Sequence, residues 1–195
     1  MFYSIIRIVF FGIIFILVFL KIKKSKITRK RFTAIITFIA FMVLSSFSTL
    51  FPVENLFINF KSSGDVYNYI SSGKIEDIIY GGNSSLVYGS ETHIISPKVE
   101  KGYKIPSIFS VKQISKKFDQ DGSLDVYNVS GTSDYYVIGI INSDKSEFEI
   151  FNGKNEQITI DIKRVENGKF FYFYLKDFTK EHYLFLDGKK IGIST

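Results

Sequence analysis

The alternating oxygen-bearing residues of FDQDGSLD come closest to a chemical motif: Asp119, Asp121, Ser123 and Asp125 could gather oxygens around a hard cation such as calcium. The run lacks the remaining length and the terminal bidentate Glu of an EF-hand loop, and a plain Asp-Gly turn between two strands is the simpler account. A second grouping is basic: Lys98, Lys101, Lys104, Lys112, Lys116 and Lys117, with Glu100 as the one acid, interleaved with Tyr103, Ile105, Ile108 and Phe109. On an exported domain this patch would meet anionic lipid headgroups or anionic wall polymers; a solvated lysine-rich loop has the same composition.

The rest of the search is mostly negative. His93 and His182 are the only imidazoles, lie 89 positions apart, and have no second ligand at metal-binding spacing. The chain has no cysteine, which removes disulfides, thiol nucleophiles, lipid-modified cysteines and iron–sulfur clusters. It also lacks a Gly-x-Ser-x-Gly elbow, a phosphate-cradling glycine loop and a zinc-protease helix. No catalytic or cofactor-binding residue is therefore assigned, and no cofactor is expected.

The elements that must position these side chains are announced by charge and hydropathy. The net +6 hides a division: residues 1–52 hold eight basic residues and no acid, so the remainder carries 17 minus 19, or −2. Positive charge confined between two apolar runs points to membrane topology, and no nucleic-acid partner is expected. The runs predict transmembrane helices over about 3–20 and 32–51, each near the 20 residues needed to cross a hydrocarbon core. Between them, residues 21–31 carry Lys21, Lys23, Lys24, Lys26, Arg29, Lys30 and Arg31, a cluster that the positive-inside bias holds in the cytoplasm. Both termini then lie outside.

Within the first run, Arg7 is expected to extend its guanidinium to the outer interface. Gly12, Thr33, Ala34, Thr37 and Ala40 are expected to let the two helices approach closely. Ser46 and Ser48 raise the alternative that the second run is a cleaved signal, although its apolar core is long for one.

Residues 53–195 predict an extracytoplasmic α+β domain dominated by antiparallel β-sheet, of about seven to nine strands. Turn pairs at Asn152-Gly153, Asn167-Gly168 and Asp187-Gly188 mark three hairpins expected to form one meander. Gly81-Gly82-Asn83 marks another turn. SSGDVYNYISSG predicts a short helix with Ser62 or Ser63 at its N-cap, Asp65 in the first turn, and Val66, Tyr69 and Ile70 on one face. Residues 110–118 fit a helix or a strand. FFYFYL, residues 170–175, is apolar on both faces and predicts a central, covered strand.

The order of a two-span N-terminus, then FPVENLFINF, GYKIPSIFS and DGSLDVYNVSGTSDYYVIG, resembles a group of uncharacterised small two-pass membrane proteins of low-GC Gram-positive bacteria with no known activity. The resemblance implies host and location only, and transfers no functional residue. Three functions compete. The first is a non-enzymatic membrane-anchored domain that binds an envelope protein or polymer. The second is an accessory subunit whose helix hairpin packs on a larger transporter or signalling complex. The third is an envelope-directed hydrolase working through carboxylates, which requires two acids converging in a cleft.

Overall fold

The computed structural model of the chain describes residues 2–24, 28–47, 50, 52–118, 122–141, 148–159, 161–165, 170–178, 181–186 and 189–192. Helix α1 spans Phe2–Lys24 and α2 spans Arg29–Phe47. Among the described helices, α1 is the one long and apolar enough to cross a membrane, with a mean hydropathy of 2.8 over Ile5–Ile22. The second helix differs from expectation. It takes Arg29, Lys30 and Arg31 into its first turn and leaves residues 32–47, sixteen in all, without charge, a rise of about 24 Å. Residues 48, 49 and 51 of the predicted second span, Ser48 among them, lie outside the described residues.

The basic connector is also largely helical. Lys21, Lys23 and Lys24 close α1, where cations favour the negative end of the helix dipole, and Lys26 lies outside the described residues. The small residues do not form the seam between the helices. Thr33, Ala34, Thr37 and Ala40 are exposed, and a Cβ built on Gly12 meets nothing within 4 Å. The half-buried positions are instead Ile6, Phe10, Ile14 and Val18 on α1 and Ile35, Ile36, Ile39, Met42 and Val43 on α2. These positions, mostly branched aliphatics at helical spacing, are the less exposed faces of the two helices, and the small-residue stripe turns outward.

Past Pro52 a single 3-10 turn, Val53–Leu56, leads to helix α3, Ser63–Ile70. The start of α3 follows its sequence signature: Ser62 accepts from the Asp65 amide at 3.1 Å, and the Asp65 carboxylate accepts from the Ser62 amide at 3.0 Å, closing a capping box. Val66 and Tyr67 are fully buried, with Tyr69 and Ile70 packed beside them.

Three antiparallel sheets follow. Sheet one is β1 (Ile75–Tyr80), β2 (Ser84–Gly89), β3 (His93–Val99) and β4 (Gly102–Tyr103), in that order. Sheet two uses β5 (Val111–Phe118), β6 (Gly122–Val129), β7 (Asp134–Ile141), β10 (Lys163–Val165) and β11 (Phe170–Lys176), ordered β10-β11-β7-β6-β5. Sheet three orders β13 (Lys189–Gly192), β12 (Tyr183–Leu186), β8 (Phe148–Phe151) and β9 (Gln157–Ile158). Thirteen described strands exceed the expected seven to nine; six of them, β4, β8, β9, β10, β12 and β13, are only two to four residues long. Residues 111–118 resolve as a strand, paired along their length with β6.

The last three hairpins do form, but not as one meander. β8–β9 and β12–β13 pair in sheet three, whereas β10–β11 leaves them and joins β7. FFYFYL explains this departure, because a strand apolar on both faces must be covered on both. Phe171 and Phe173 pack toward Ile150 and Phe178, while Tyr172 packs toward Leu86, Tyr88 and Ile95 of sheet one. The layers therefore run α3, sheet one, sheet two, sheet three.

Period-2 alternation builds this stack: in β2, Leu86 and Tyr88 face sheet two while Val87 faces Val66 and Tyr67 of α3. Gly89 ends β2 directly beneath the Tyr67 phenol, and an added methyl would overlap that ring and crowd the Lys74 carbonyl. Gly89→Ala is expected to cost about 1–3 kcal/mol, read as a lower urea midpoint. Unchanged stability would show that Tyr67 repacks freely.

Candidate functional site

Two features bring distant residues together: a buried ion pair joining α1 to the β domain, and a polar groove on that domain. The ion pair begins with Arg7. Its side chain is fully buried and does not reach solvent at the interface as the sequence suggested. Pro52, in extended conformation, starts the 3-10 turn that places Glu54 against it, also fully buried. Arg7 Nε donates to Glu54 Oε1 at 2.8 Å and Nη2 to Oε2 at 3.2 Å, a bidentate fork, and the Tyr69 hydroxyl donates to Oε1 at 3.3 Å. Three segments thus meet at one carboxylate. Glu54 is the first acid in the chain and follows Pro52 closely, the one sequence signal that could have paired it with Arg7.

The 3-10 turn is secured from its other side. The Asn55 side chain donates to the Ile105 carbonyl at 2.8 Å and accepts from the Ile105 amide at 2.9 Å. Lys104 Nζ donates to the carbonyls of Asn55 (2.5 Å) and Ile58 (2.8 Å). Lys104 thus helps hold the 3-10 turn to the segment before β5. Lys98 and Lys101 stand exposed at the β3–β4 turn, and Lys112 stands exposed on β5 of another sheet. Lys116 and Lys117 are also on β5, and their side chains lie outside those described.

Ser123 and Asp125 belong to β6, paired with Ile140 and Ile138 of β7, while Asp119 and Asp121 lie outside the described residues. Among the described residues no group of three His, Asp or Glu could hold a metal ion. The histidines lie in different layers. His93 packs edge-on against Tyr127, and burial lowers its pKa against the opposing pull of Asp125. His182 packs on Phe178.

The groove was not anticipated. It encloses about 670 Å³ between β1, Ile158, Thr159, Asp161 and Lys163, and the end of β11. Asp77, Tyr80, Asp161, Lys163, Tyr174 and Lys176 line it, along with apolar side chains of β1. Tyr80 is 65% exposed. Lys163 Nζ lies 3.0 Å from Asp161 Oδ2, a contact that raises the lysine pKa. The Tyr172 hydroxyl donates to Asp77 at 3.2 Å; burial first, then the Asp77 charge, push its pKa well above the ordinary phenol value.

Beneath the groove, Asp134 anchors the β1–β2 turn to sheet two. Its carboxylate accepts from the Gly82 and Asn83 amides (3.1 and 2.7 Å), the Ser84 hydroxyl (2.5 Å) and the Tyr174 hydroxyl (2.9 Å). Burial alone would raise the pKa of this carboxyl, but the hydrogen bonds from Ser84, Asn83, Tyr174 and Gly82 together outweigh it and hold it below the ordinary carboxylate value. Tyr174 is raised by burial and by donating to Asp134. Its ring therefore lines the groove as a neutral, fixed surface.

The groove offers carboxylate acceptors, ammonium donors and an aromatic face, the complement of a hydroxyl-rich chain. Its two carboxylates, Asp77 and Asp161, belong to segments 84 positions apart. Compared with known proteins, the chain matches no family model, no curated protein and no solved structure.

Proposed function

We propose that this chain is a non-enzymatic, membrane-anchored binding protein of a Gram-positive cell envelope. Helices α1 and α2 hold it as a two-pass anchor with both termini outside, and the β domain presents the groove to an envelope glycan. The observation that carries this reading is the groove itself: Tyr174 and Tyr80 line it together with the Asp161–Lys163 pair and Asp77, groups that suit the apolar faces and hydroxyls of a sugar chain. The buried Arg7–Glu54 pair supports a domain seated against its anchor.

The test is titration of the intact protein in nanodiscs with soluble cell-wall glycan fragments, followed by calorimetry. Tyr80→Ala is expected to weaken binding about tenfold, the loss of about 1.4 kcal/mol of stacking. Equal affinity of wild type and Tyr80→Ala would remove the groove as the binding site. The presence of both Asp77 and Asp161 in the groove lining supports a hydrolase as a second reading. Release of new reducing ends from the same fragments, abolished in Asp161→Asn, would replace binding with catalysis.

The outward stripe of Thr33, Ala34 and Thr37 supports the accessory-subunit reading. A partner that co-purifies with Tyr80→Ala but not with Thr37→Leu would favour it.

A further inference from the structure

The structure carries a second, apolar surface at the foot of the domain, and we propose that it inserts into the outer leaflet of the membrane beside α1. This rests on the reading of α1 as a membrane anchor. Leu56 and Phe57, at the end of the 3-10 turn, are 65% and 53% exposed. Ile108 and Phe109, at the tip of the loop before β5, are 53% and 72% exposed. Large apolar side chains grouped at a loop tip and a turn are costly to leave in water.

Lipid is the occupant because of what these residues adjoin. The Phe57 ring packs on Phe10 of α1 with centroids 5.6 Å apart. Phe10 lies three residues past Arg7, about 4.5 Å further along the helix toward its cytoplasmic end. Phe57 is thus level with a part of α1 whose neighbouring side chains, Val9 and Ile13, face outward and are exposed. The Ile108-Phe109 tip is bound to the same turn: Asn55 holds Ile105 through two hydrogen bonds, and the four residues of chain to Phe109 reach at most about 14 Å from there. Lys104 keeps the carbonyls of Asn55 and Ile58 satisfied beside this surface, as polar backbone near hydrocarbon requires. The domain rests on the bilayer through a four-residue apolar foot.

The chain contains no tryptophan, so a single introduced indole reports its own surroundings. Full-length Phe57→Trp, Phe109→Trp, Tyr80→Trp and Phe15→Trp proteins are reconstituted into phosphatidylglycerol–phosphatidylcholine vesicles carrying bromine near the headgroup or near the bilayer centre. The proposal expects blue-shifted emission and loss of fluorescence with shallow bromine for both Phe57→Trp and Phe109→Trp, while Tyr80→Trp in the groove stays unquenched. Phe15→Trp, on the exposed face of α1, should be quenched by deep bromine. If Phe15→Trp is quenched but either foot residue is not, the inserted foot is overturned and the anchor stands. If Phe15→Trp is also unquenched, the anchor reading falls and the foot with it. Quenching of Tyr80→Trp at shallow depth overturns the foot as a specific surface.

Discussion

Glu54→Gln is expected to destabilise the protein by about 3–5 kcal/mol, one of the largest single-residue effects in the chain, because it strands a buried guanidinium without its counter-charge. Arg7 and Glu54 are both fully buried and joined through two hydrogen bonds, so neither charge can be resolvated without opening the contact between α1 and the domain. The Tyr69 hydroxyl loses a charged acceptor in the same substitution. Thermal unfolding of the purified protein in detergent reads the loss. The pair variant Arg7→Met with Glu54→Leu is expected to recover most of it, since matched apolar side chains need no compensation in a dry site. If Glu54→Gln unfolds at the wild-type temperature, the ion pair does not hold helix and domain together. If it is as unstable as the pair variant, packing and not charge accounts for the loss.

The second large effect belongs to Asp134. Asp134→Asn turns an acceptor of four hydrogen bonds into a group whose amide must face donors, and the expected cost is about 2–4 kcal/mol. The consequence is local in origin and wide in reach, because this carboxylate ties the Gly82-Asn83 turn of sheet one to the first residue of β7 and to Tyr174 of β11. Its pH dependence gives a sharper check. The folded pKa lies below the ordinary value, so the charged form stabilises the native state above the unfolded pKa, near 4, and this contribution disappears as pH falls through the folded pKa. Wild type and Asp134→Asn should therefore differ most near neutrality and converge in urea midpoint as the pH drops from about 4. A constant gap across that range would assign the stabilisation to shape and not to ionisation.

Elements whose signals are local were legible in the residues. Ser62 and Asp65 close a capping box within four positions, and Asp187-Gly188 lies between β12 and β13, which pair at Leu186 and Lys189. FFYFYL declared its own burial, because no strand with phenyl rings on both faces is tolerated at an edge. What failed was inference about partners. Gly12, Thr33, Ala34, Thr37 and Ala40 read as a helix–helix seam, but smallness permits close approach without requiring it, and the Ile-rich faces are the less exposed ones. Lys104 read as one of six patch lysines, and its ammonium also donates to carbonyls 46 and 49 positions away.

From its residues alone, the chain determines an apolar N-terminal helix, a cysteine-free antiparallel domain and the turns between its strands, because each depends on periodicity and backbone preference within about ten positions. The tertiary structure alone decides that Arg7 meets Glu54, that β10–β11 leaves its neighbouring hairpins for sheet two, and that Asp77, Asp161 and Tyr174 share a groove. The physical reason is loop closure. Contacts spanning 47 to 95 positions depend on which apolar faces cover one another, and that choice is made by the whole stack of layers at once.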